Sequence, residues 1–281
     1  MPATLIADSG ATKCEWRLVC NNEVKTVITT GISPYFLSKE KIRAVLQTEL
    51  LVNLPDVPIG KVAFYGTGLG NPDNLKLMKV ILQQTFSEAL VEVTHDLMAA
   101  VHATTGRQKG VVAILGTGSN SCYYNGRKIV KNSPGLGYVL GDEGSGAYLG
   151  KRVIQYYLYN TFDEDLRARF DATFTVTGKE ILESVYTQPL PNRYLASYTI
   201  FLAQNRGHYM IENIIEDGLN DFFFQHLCKY AESWKTSIHF AGSVAYGFRD
   251  VLQQLCISYE FDLGTIVQSP MDGLLKYHEL S

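Results

Sequence analysis

Residues 110–150 read GVVAILGTGSNSCYYNGRKIV and then KNSPGLGYVLGDEGSGAYLG, and this stretch decides the fold. An apolar run over 111–115 stops at a turn of small residues, GTGSN at 116–120. A polar and aromatic run over 121–124 follows, turns at Asn125-Gly126 and returns. An Asn-Gly pair between two alternating runs is typical of a β-hairpin. We therefore predict a buried strand followed by a hairpin.

Two glycine-rich segments of this stretch carry groups that suit an anion. The small residues of GTGS at 116–119 let backbone N–H groups approach a ligand closely. The segment GDEGSG at 141–146 adds two carboxylates, and a helix is predicted to open near Ala147. The N-terminal end of a helix favours negative charge. We interpret the two segments as a phosphate- and substrate-binding region.

The beginning of the chain repeats this plan about a hundred residues earlier. An apolar run over 4–8 ends at DSGATK (8–13), a run over 15–20 alternates, and the chain turns at Asn21-Asn22 and returns over 24–29. One plan used twice indicates two related halves. Predicted strands alternate with predicted helices in the rest of the chain, which favours an α/β fold over a β-sandwich.

Three further local patterns predict helices. Ser38 is the predicted N-cap of an amphipathic helix to Leu51, and Thr177-Gly178-Lys179-Glu180 has the form of a capping box. A long helix is predicted over 208–234, with a bend at Gly218. Residues 241–245, AGSVA, follow a short predicted strand and begin another helix.

The composition excludes several classes of protein. Hydrophobic residues make up 46% and charged residues 19%, and 25 basic against 28 acidic residues give a net charge of −3. Without a dense Lys/Arg run, no nucleic-acid partner is expected. No apolar run approaches the roughly 18 residues of a membrane span, and the N-terminus has no signal-type segment. The five cysteines form no C-x-x-C pair, so we expect free thiols in the cytoplasm.

Turns rich in Gly, Ser and Thr follow several predicted strands. They begin at Asp8, Gly66, Asp96, Gly116, Gly141 and Gly242. In open α/β sheets the carboxyl ends of strands converge on a crevice that binds ligands. The chain has no G-x-x-x-x-G-K-[ST], G-x-G-x-x-G, G-x-S-x-G or H-E-x-x-H motif.

Four motifs in this order resemble the sugar-kinase, Hsp70 and actin superfamily. They are DSGATK at 8–13, GTGSN at 116–120, LGDEGSG at 140–146 and AGSVA at 241–245. The chain is most similar to the BadF/BadG/BcrA/BcrD-type ATPase family, which includes N-acetylglucosamine kinases, over essentially its whole length. The resemblance implies a two-domain actin-like, ribonuclease H-like α/β fold with an interdomain cleft. We expect a first domain over 1–105, with a C-terminal helix at 271–281 packing back on it, and a second over 106–270.

The resemblance also implies ATP and Mg²⁺ as cofactors. Asp8 would hold the metal ion, in agreement with the preference of Mg²⁺ for one or two carboxylates plus substrate phosphates. The residues that would bind ATP come from DSGATK, from GTGS and from the AGSVA segment: Gly10, Thr12, Lys13, Gly116, Thr117, Gly118, Ser119, Gly242 and Ser243. For AGSVA, the start of a helix after a strand is an equally good and compatible interpretation.

Asp96 would be the catalytic base, accepting the proton of the sugar hydroxyl that attacks the γ-phosphate. The alternative is that Asp96 only caps its helix. Residues implied to bind the sugar are Ser33, Asn120, Gly137 and Asp142. The role of Glu143 stays open between site electrostatics and helix-end charge. Family members specific for amino sugars tend to have Asn before the loop proline and a Gly-Trp-Gly, where this chain has Ser33 and Leu136.

The predicted function is ATP-dependent phosphorylation of a sugar hydroxyl, foremost the 6-hydroxyl of N-acetylglucosamine or a related amino sugar. The expected partners are the sugar and ATP, without nucleic acid or membrane, and a homodimer is left open. One alternative is an ATPase of the 2-hydroxyacyl-CoA dehydratase activator type, whose iron–sulfur cluster needs cysteines that 133–150 does not contain. The other is a non-catalytic sugar or nucleotide sensor.

Overall fold

The structure is a computed structural model that describes residues 2–10, 12–21 and 23–280. The predicted turn residues Ala11 and Asn22 lie outside the described residues. The chain divides into two compact units, which are described separately: unit 1 comprises Met1–Gly106 and Pro270–Ser281, and unit 2 comprises Arg107–Ser269. No helix among the described residues is long and apolar enough to cross a lipid bilayer.

Unit 1 contains one five-stranded sheet. Its strands are β1 (Ala3–Ser9), β2 (Lys13–Cys20), β3 (Glu23–Thr30), β4 (Ile59–Gly66) and β5 (Leu90–His95). Their order in the sheet is β3-β2-β1-β4-β5. The first three form antiparallel pairs, while β4 and β5 run parallel to β1. Ser9, Gly66 and His95 stand at one level in this parallel part, so the carboxyl ends of three strands lie side by side.

The helices of unit 1 pack on this sheet. They are α1 (Lys39–Val45), α2 (Pro72–Thr85), α3 (Asp96–Thr104) and a C-terminal helix (Met271–Tyr277). The C-terminal helix contacts α3 and β1. The Tyr65 hydroxyl lies 2.9 Å from His102 Nδ1 of α3 and 3.0 Å from Nε2 of His278, just after that helix. Burial lowers the pKa of His102 to about 4, so this hydrogen-bonded attachment forms with a neutral imidazole at neutral pH.

Unit 2 repeats the sheet plan. Its strands are β6 (Lys109–Leu115), β7 (Ser119–Asn125), β8 (Ile129–Pro134), β9 (Ile238–Ala241) and β10 (Leu263–Val267). Their order is β10-β9-β6-β7-β8, with β6–β8 antiparallel and β9 and β10 parallel to β6. Each sheet thus has an antiparallel meander made of its first three strands, and two further strands run parallel to the first strand on its other side. This is the repeated plan that the sequence predicts.

Most of the helical residues belong to unit 2. Its helices are α4 (Gly137–Leu140), α5 (Gly146–Leu158), α6 (Glu164–Thr173), α7 (Gly178–Tyr186), α8 (Pro191–Ser197), α9 (Thr199–Gln204), α10 (Tyr209–Gln225), α11 (Ser243–Gly247) and α12 (Arg249–Ser258). The core is rich in aromatic rings: Phe170 stacks on Tyr157 with 4.0 Å between ring centroids and lies against Tyr198 and Phe201.

The local predictions have mixed outcomes. The N-cap at Ser38 and the capping box of Thr177 and Glu180 are confirmed, each with the expected side-chain hydrogen bond to the backbone. The predicted helix over 208–234 is wrong at its end, because α10 ends at Gln225 and two short 3₁₀ turns follow. At Gly218 the missing side chain makes room for Leu149, whose Cδ2 lies 2.4 Å from where a Cβ would stand.

Candidate active site

Two carboxylates lie at strand ends of unit 1, on either side of β4 in the sheet. Asp8 is near the end of β1, and Asp96 begins α3 directly after β5. Protein atoms surround both carboxyls densely, although each residue keeps part of its surface accessible. Burial raises the pKa of Asp8 to about 7, the negative charges of Asp96 and Glu15 raise it as well, and Lys13 lowers it. Burial also raises the pKa of Asp96.

Asp96 does not act as the N-cap of its helix. The N-cap position belongs to His95, and Asp96 Oδ1 accepts a hydrogen bond of 2.9 Å from the N–H of the adjacent Leu97. Thr67, in the turn after β4, also hydrogen-bonds the Asp96 carboxylate. Asp96 is thus the first residue of α3 and not its N-cap, but its carboxylate still accepts a hydrogen bond from an N–H of the first turn.

The turn after β1 is tight and exposed. Gly10 N–H donates to the carbonyl of Lys13 at 3.0 Å, and Gly31 N–H donates to the carbonyl of Thr12 at 3.1 Å. Gly10, Thr12 and Lys13 are all exposed. The turn thus presents the cationic side chain of Lys13, which lowers the pKa of Asp8, and a cation suits phosphate groups.

Ser33 is brought to the same edge of unit 1. The Ser9 hydroxyl bonds both backbone groups of Ile32, at 2.8 Å and 3.0 Å, and so fixes the loop after β3 against the end of β1. Ser33 is 1% exposed, and its hydroxyl has no hydrogen-bond partner among the described residues. A buried polar atom without a partner is costly, and a ligand that hydrogen-bonds it would remove that cost.

In unit 2 the GTGS turn joins the start of α5. Gly146 N–H donates to the carbonyl of Gly116 at 2.7 Å, and Ala147 N–H donates to that of Thr117 at 3.0 Å. The Ser145 hydroxyl accepts from Tyr148 N–H at 3.1 Å. These N–H groups are therefore engaged within the protein. Our interpretation that the first N–H groups of α5 bind an anion is corrected, because they hydrogen-bond to the GTGS turn instead.

Gly242 brings the AGSVA segment against the same turn. Its φ of +118° is a left-handed backbone conformation that favours glycine, and a Cβ there would lie 2.3 Å from the carbonyl oxygen of Leu115 and 3.3 Å from Gly116 N. Ser243 follows as the first residue of α11. Unit 2 therefore groups its two predicted nucleotide-binding segments at the adjacent carboxyl ends of β6 and β9.

Asp142 connects the GTGS turn with the glycine-rich segment. Its Oδ1 accepts from Gly137 N–H at 3.1 Å, and its Oδ2 lies 3.0 Å from where a Cβ of Gly118 would stand. Gly135 packs against the carbonyl oxygen of Ser119, 2.2 Å from the position of an added Cβ. Burial raises the pKa of the Asp142 carboxyl, and hydrogen bonds from the N–H groups of Gly137 and Ser119 oppose that rise.

Ser119 and Asn120, at the end of this turn, differ in whether their side chains are hydrogen-bonded. Ser119 is 7% exposed, and its hydroxyl has no hydrogen-bond partner among the described residues. Asn120 Oδ1 accepts from Ser121 N–H and from Asn132 Nδ2, both at 2.9 Å. With its oxygen engaged in this way, Asn120 has its amide N–H₂ to offer to a ligand.

Comparison with known proteins gives the family. The solved structure of a candidate N-acetylglucosamine kinase from Porphyromonas gingivalis is 35% identical to this chain, with a TM-score of 0.93 and 98% of each chain covered. The chain belongs to the N-acetylglucosamine kinase-like family. The resemblance inferred from the four motifs is thereby confirmed, as is the two-domain actin-like fold.

More distant relatives of this N-acetylglucosamine kinase-like chain agree. The N-acetyl-D-glucosamine kinase of Dictyostelium discoideum is 29% identical over 136 residues, 48% of this chain, and the match spans 41% of that relative's length. A ROK family glucokinase from Streptomyces griseus, solved with glucose and AMPPNP, shares the fold with 16% identity, a TM-score of 0.53 and 99% of each chain covered. No model of a known protein family matches the chain.

The kinase-like chain also has site-adjacent residues that the sequence did not reveal. His226 and Tyr230, just after α10, hydrogen-bond to β7, β8 and the segment around Glu143. Glu15 stands opposite Asp8 in the β1–β2 register. Nothing in the sequence signals the contacts of His226, since its partners are 83 and 93 residues away. Glu15 could have been found by pairing the predicted hairpin residue by residue.

Proposed function

We propose that this protein transfers the γ-phosphoryl group of ATP to a hydroxyl of an amino sugar, foremost the 6-hydroxyl of N-acetylglucosamine. The observation that carries the proposal is the Asp96 carboxylate, which lies at the end of a parallel strand with a pKa raised by burial. A general base works best when its pKa is raised toward the operating pH. The names of the relatives supply the class of acceptor.

In this reaction Asp96 accepts the proton of the attacking hydroxyl. The sugar oxygen forms a bond to the γ-phosphorus, the bond from that phosphorus to the bridging oxygen of ATP breaks, and ADP leaves. Phosphoryl transfer asks the protein mainly for positioning and charge neutralisation. Lys13 provides a cation for the phosphates.

The residues fit ATP and Mg²⁺. The buried Ser119 hydroxyl lacks a partner among the described residues, and a phosphate oxygen would accept its hydrogen bond. Gly10, Thr12, Thr117, Gly118, Gly242 and Ser243 would bind ATP together with Lys13, Gly116 and Ser119. Among the described residues, no three His, Cys, Asp or Glu side chains form a metal cage, and Mg²⁺ in nucleotide sites needs none. Asp8 would hold Mg²⁺, which neutralises phosphate charge when bound.

The sugar would be bound by polar groups. Ser33 offers a hydroxyl that no described residue engages, and Asn120 offers its amide N–H₂. Asp142 would accept hydrogen bonds from sugar hydroxyls through oxygen atoms that its backbone bonds orient. Gly137, with φ of +79° and no atom near an added Cβ, would offer backbone contact. We further propose a cytoplasmic location, since all five cysteines are free thiols, and a homodimer to be tested by light scattering.

A coupled ADP-release assay with Mg²⁺ and ATP tests the proposal. The panel would contain N-acetylglucosamine, N-acetylmannosamine, glucosamine and glucose. We expect ADP release that depends on an amino sugar, fastest with N-acetylglucosamine, and a product whose phosphorus is attached to the 6-hydroxyl by NMR. The proposal is wrong if no sugar of the panel increases ADP release above the sugar-free rate.

A further inference from the structure

The segment over residues 134–142, called here the 134–142 loop, runs from the end of β8 through the short helix α4 to the approach of α5. Three of its apolar side chains are exposed: Leu136 by 63%, Val139 by 68% and Leu140 by 76%. Tyr138 is partly buried and packs against the core of unit 2. Apolar burial therefore holds this loop mainly through Tyr138, and the positions of Gly137 and Asp142 also depend on polar contacts.

Only some of these contacts lie within the loop. Gly137 N–H donates to Asp142 Oδ1 at 3.1 Å, and Lys151 Nζ of α5 donates to the carbonyl of Tyr138 at 3.2 Å. Asp142 itself has a φ of +58°, a conformation that is unfavourable for a residue with a side chain. Such a backbone persists only where the surroundings determine it, so the two ends of the loop need firm attachment.

His226 provides this attachment at both ends. Its Nδ1 lies 2.9 Å from the hydroxyl of Ser133, directly before the loop, and its Nε2 lies 3.1 Å from Oε2 of Glu143, directly after it. A carboxylate only accepts hydrogen bonds, so Nε2 carries the hydrogen that Glu143 accepts, and in the neutral ring Nδ1 accepts from the Ser133 hydroxyl. The His226 side chain is 5% exposed and stacks on Phe222.

Tyr230 strengthens the same side of the loop. Its hydroxyl accepts from the backbone N–H of Ser133 at 2.6 Å and lies 3.0 Å from the hydroxyl of Ser121 on β7. The chain after α10 thus joins β7, β8 and Glu143, which lies before α5, in one hydrogen-bonded network. Within it, His226 is the residue whose single ring reaches both ends of the 134–142 loop.

We propose that His226 is a positioning residue for sugar binding: it fixes both ends of the 134–142 loop and thereby holds Asp142 in its binding conformation. The inference rests on the proposed function only in the identity of the ligand. The fixing of the loop is a property of this chain that can be measured without any sugar.

The other end of α10 offers a matched control. His208 at its N-cap accepts from Met210 N–H at Nδ1, 3.3 Å, and pairs with Asp163 through Nε2, 3.0 Å. Like His226 it makes one contact through each ring nitrogen, although its side chain is more exposed, at 17% against 5%, and its partners Met210 and Asp163 lie outside the 134–142 loop and its ends. Comparing His226→Ala with His208→Ala therefore separates loss of loop order from general loss of helix stability.

The test combines kinetics with hydrogen exchange in the full chain. In His226→Ala we expect the KM for N-acetylglucosamine to rise roughly tenfold to hundredfold, because small misplacements of binding groups are costly. The KM for ATP should change by less than about twofold, and the amides of 135–142 should exchange faster. Ser133→Ala and Glu143→Ala, which each remove one of the two hydrogen-bond partners of His226, should give intermediate effects. His208→Ala should leave both the sugar KM and the exchange of 135–142 unchanged.

Two results would overturn the proposal. One is an unchanged exchange rate for 135–142 in His226→Ala. The other is a rise in the KM for the sugar no larger than in His208→Ala at an equal loss of melting temperature. If the wild type releases no ADP with any sugar, the proposed function fails instead, and the exchange experiment still decides whether His226 fixes the loop.

Discussion

The candidate residues of the two units differ in kind although the sheets share one plan. Unit 1 contains two carboxyl groups, Asp8 and Asp96, whose pKa values are raised, mainly by burial. Unit 2 contributes neutral hydroxyls, backbone N–H groups and one carboxylate, Asp142, that is oriented by hydrogen bonds. Two copies of one sheet plan can therefore carry different kinds of functional groups. In our proposal Asp96 of unit 1 accepts the proton, and the polar groups of unit 2 orient the bound ligands.

The largest effect is expected for Asp96→Asn. Removing the general base should lower kcat by about 10²–10⁴-fold, while the dissociation constant for ATP changes by less than about threefold. Steady-state ADP release and equilibrium titration with ATP measure the two quantities. Asp73→Asn, at an exposed acid in the first turn of α2, is the matched control and should keep full turnover. If Asp96→Asn keeps wild-type turnover, Asp96 is not the general base, and unit 1 does not supply the proton acceptor.

The second effect, in unit 2, is steric. In Gly135→Ala the new Cβ would lie 2.2 Å from the backbone oxygen of Ser119 and 2.4 Å from Asp142 Oδ1. We expect the KM for the sugar to rise at least about tenfold and the free energy of unfolding to fall by about 1–3 kcal/mol. Gly247→Ala, where no atom lies within 4 Å of an added Cβ, should change neither. An unaffected sugar KM in Gly135→Ala would show that the position of this loop does not matter.

Much of this contrast was visible in the sequence. Alternating runs and small-residue turns predicted both meanders and the strand ends that carry Asp8, Asp96 and Gly116. The sequence did not predict α6, whose buried side chains are only Leu166 and Phe170, too narrow a stripe to form a clear amphipathic pattern. The Asp163 N-cap, which accepts from Leu166 N–H, was the available signal.

The site was predictable in its glycines and acids but not in its supports. A strand followed by a small turn is a local pattern, so Gly116 and Gly242 could be found from neighbouring residues. The end of α10 at Gln225 could not, because the chain there leaves the helix to place His226 and Tyr230 against β8. Such contacts join residues that are distant in sequence and follow no local rule. That the hydroxyls of Ser33 and Ser119 are buried without a partner among the described residues likewise became apparent only in three dimensions.

A third prediction concerns the free energy of unfolding of unit 1 at different pH values. The pKa of Asp8 is about 7 in the folded protein, against an ordinary value of 3.8 for an aspartate. A raised carboxyl pKa means that the folded state keeps a proton that the unfolded state has released. Stability is therefore greatest below the unfolded pKa and is lost as the pH rises through about 7. Asp8→Asn removes this loss, so its advantage over the wild type should grow with pH.

Urea denaturation in the presence of EDTA measures this advantage. Between about pH 5.5 and about pH 8 the difference between Asp8→Asn and the wild type should widen by at most about 2 kcal/mol. Partial solvent access to Asp8 reduces the effect. Asp73→Asn should show a difference that does not vary in this way. If the difference in the free energy of unfolding between Asp8→Asn and the wild type does not change with pH, the pKa of Asp8 is not raised in the folded protein.

The smallest effect is expected for Ser119→Ala in unit 2. Because the Ser119 hydroxyl is buried without a partner among the described residues, its removal should leave the free energy of unfolding unchanged or raise it by about 1 kcal/mol. The KM for ATP should nevertheless rise roughly threefold to tenfold, the cost of about one hydrogen bond to a phosphate. Ser121→Ala is the matched control, since that hydroxyl bonds the Ser133 carbonyl at 3.2 Å and the Tyr230 hydroxyl at 3.0 Å. In Ser121→Ala the free energy of unfolding should fall by about 1–2 kcal/mol, and the KM for ATP should rise less than in Ser119→Ala. Opposite signs of the two stability changes would mark Ser119 as a group kept for a ligand, whereas equal losses would mark it as an ordinary structural serine.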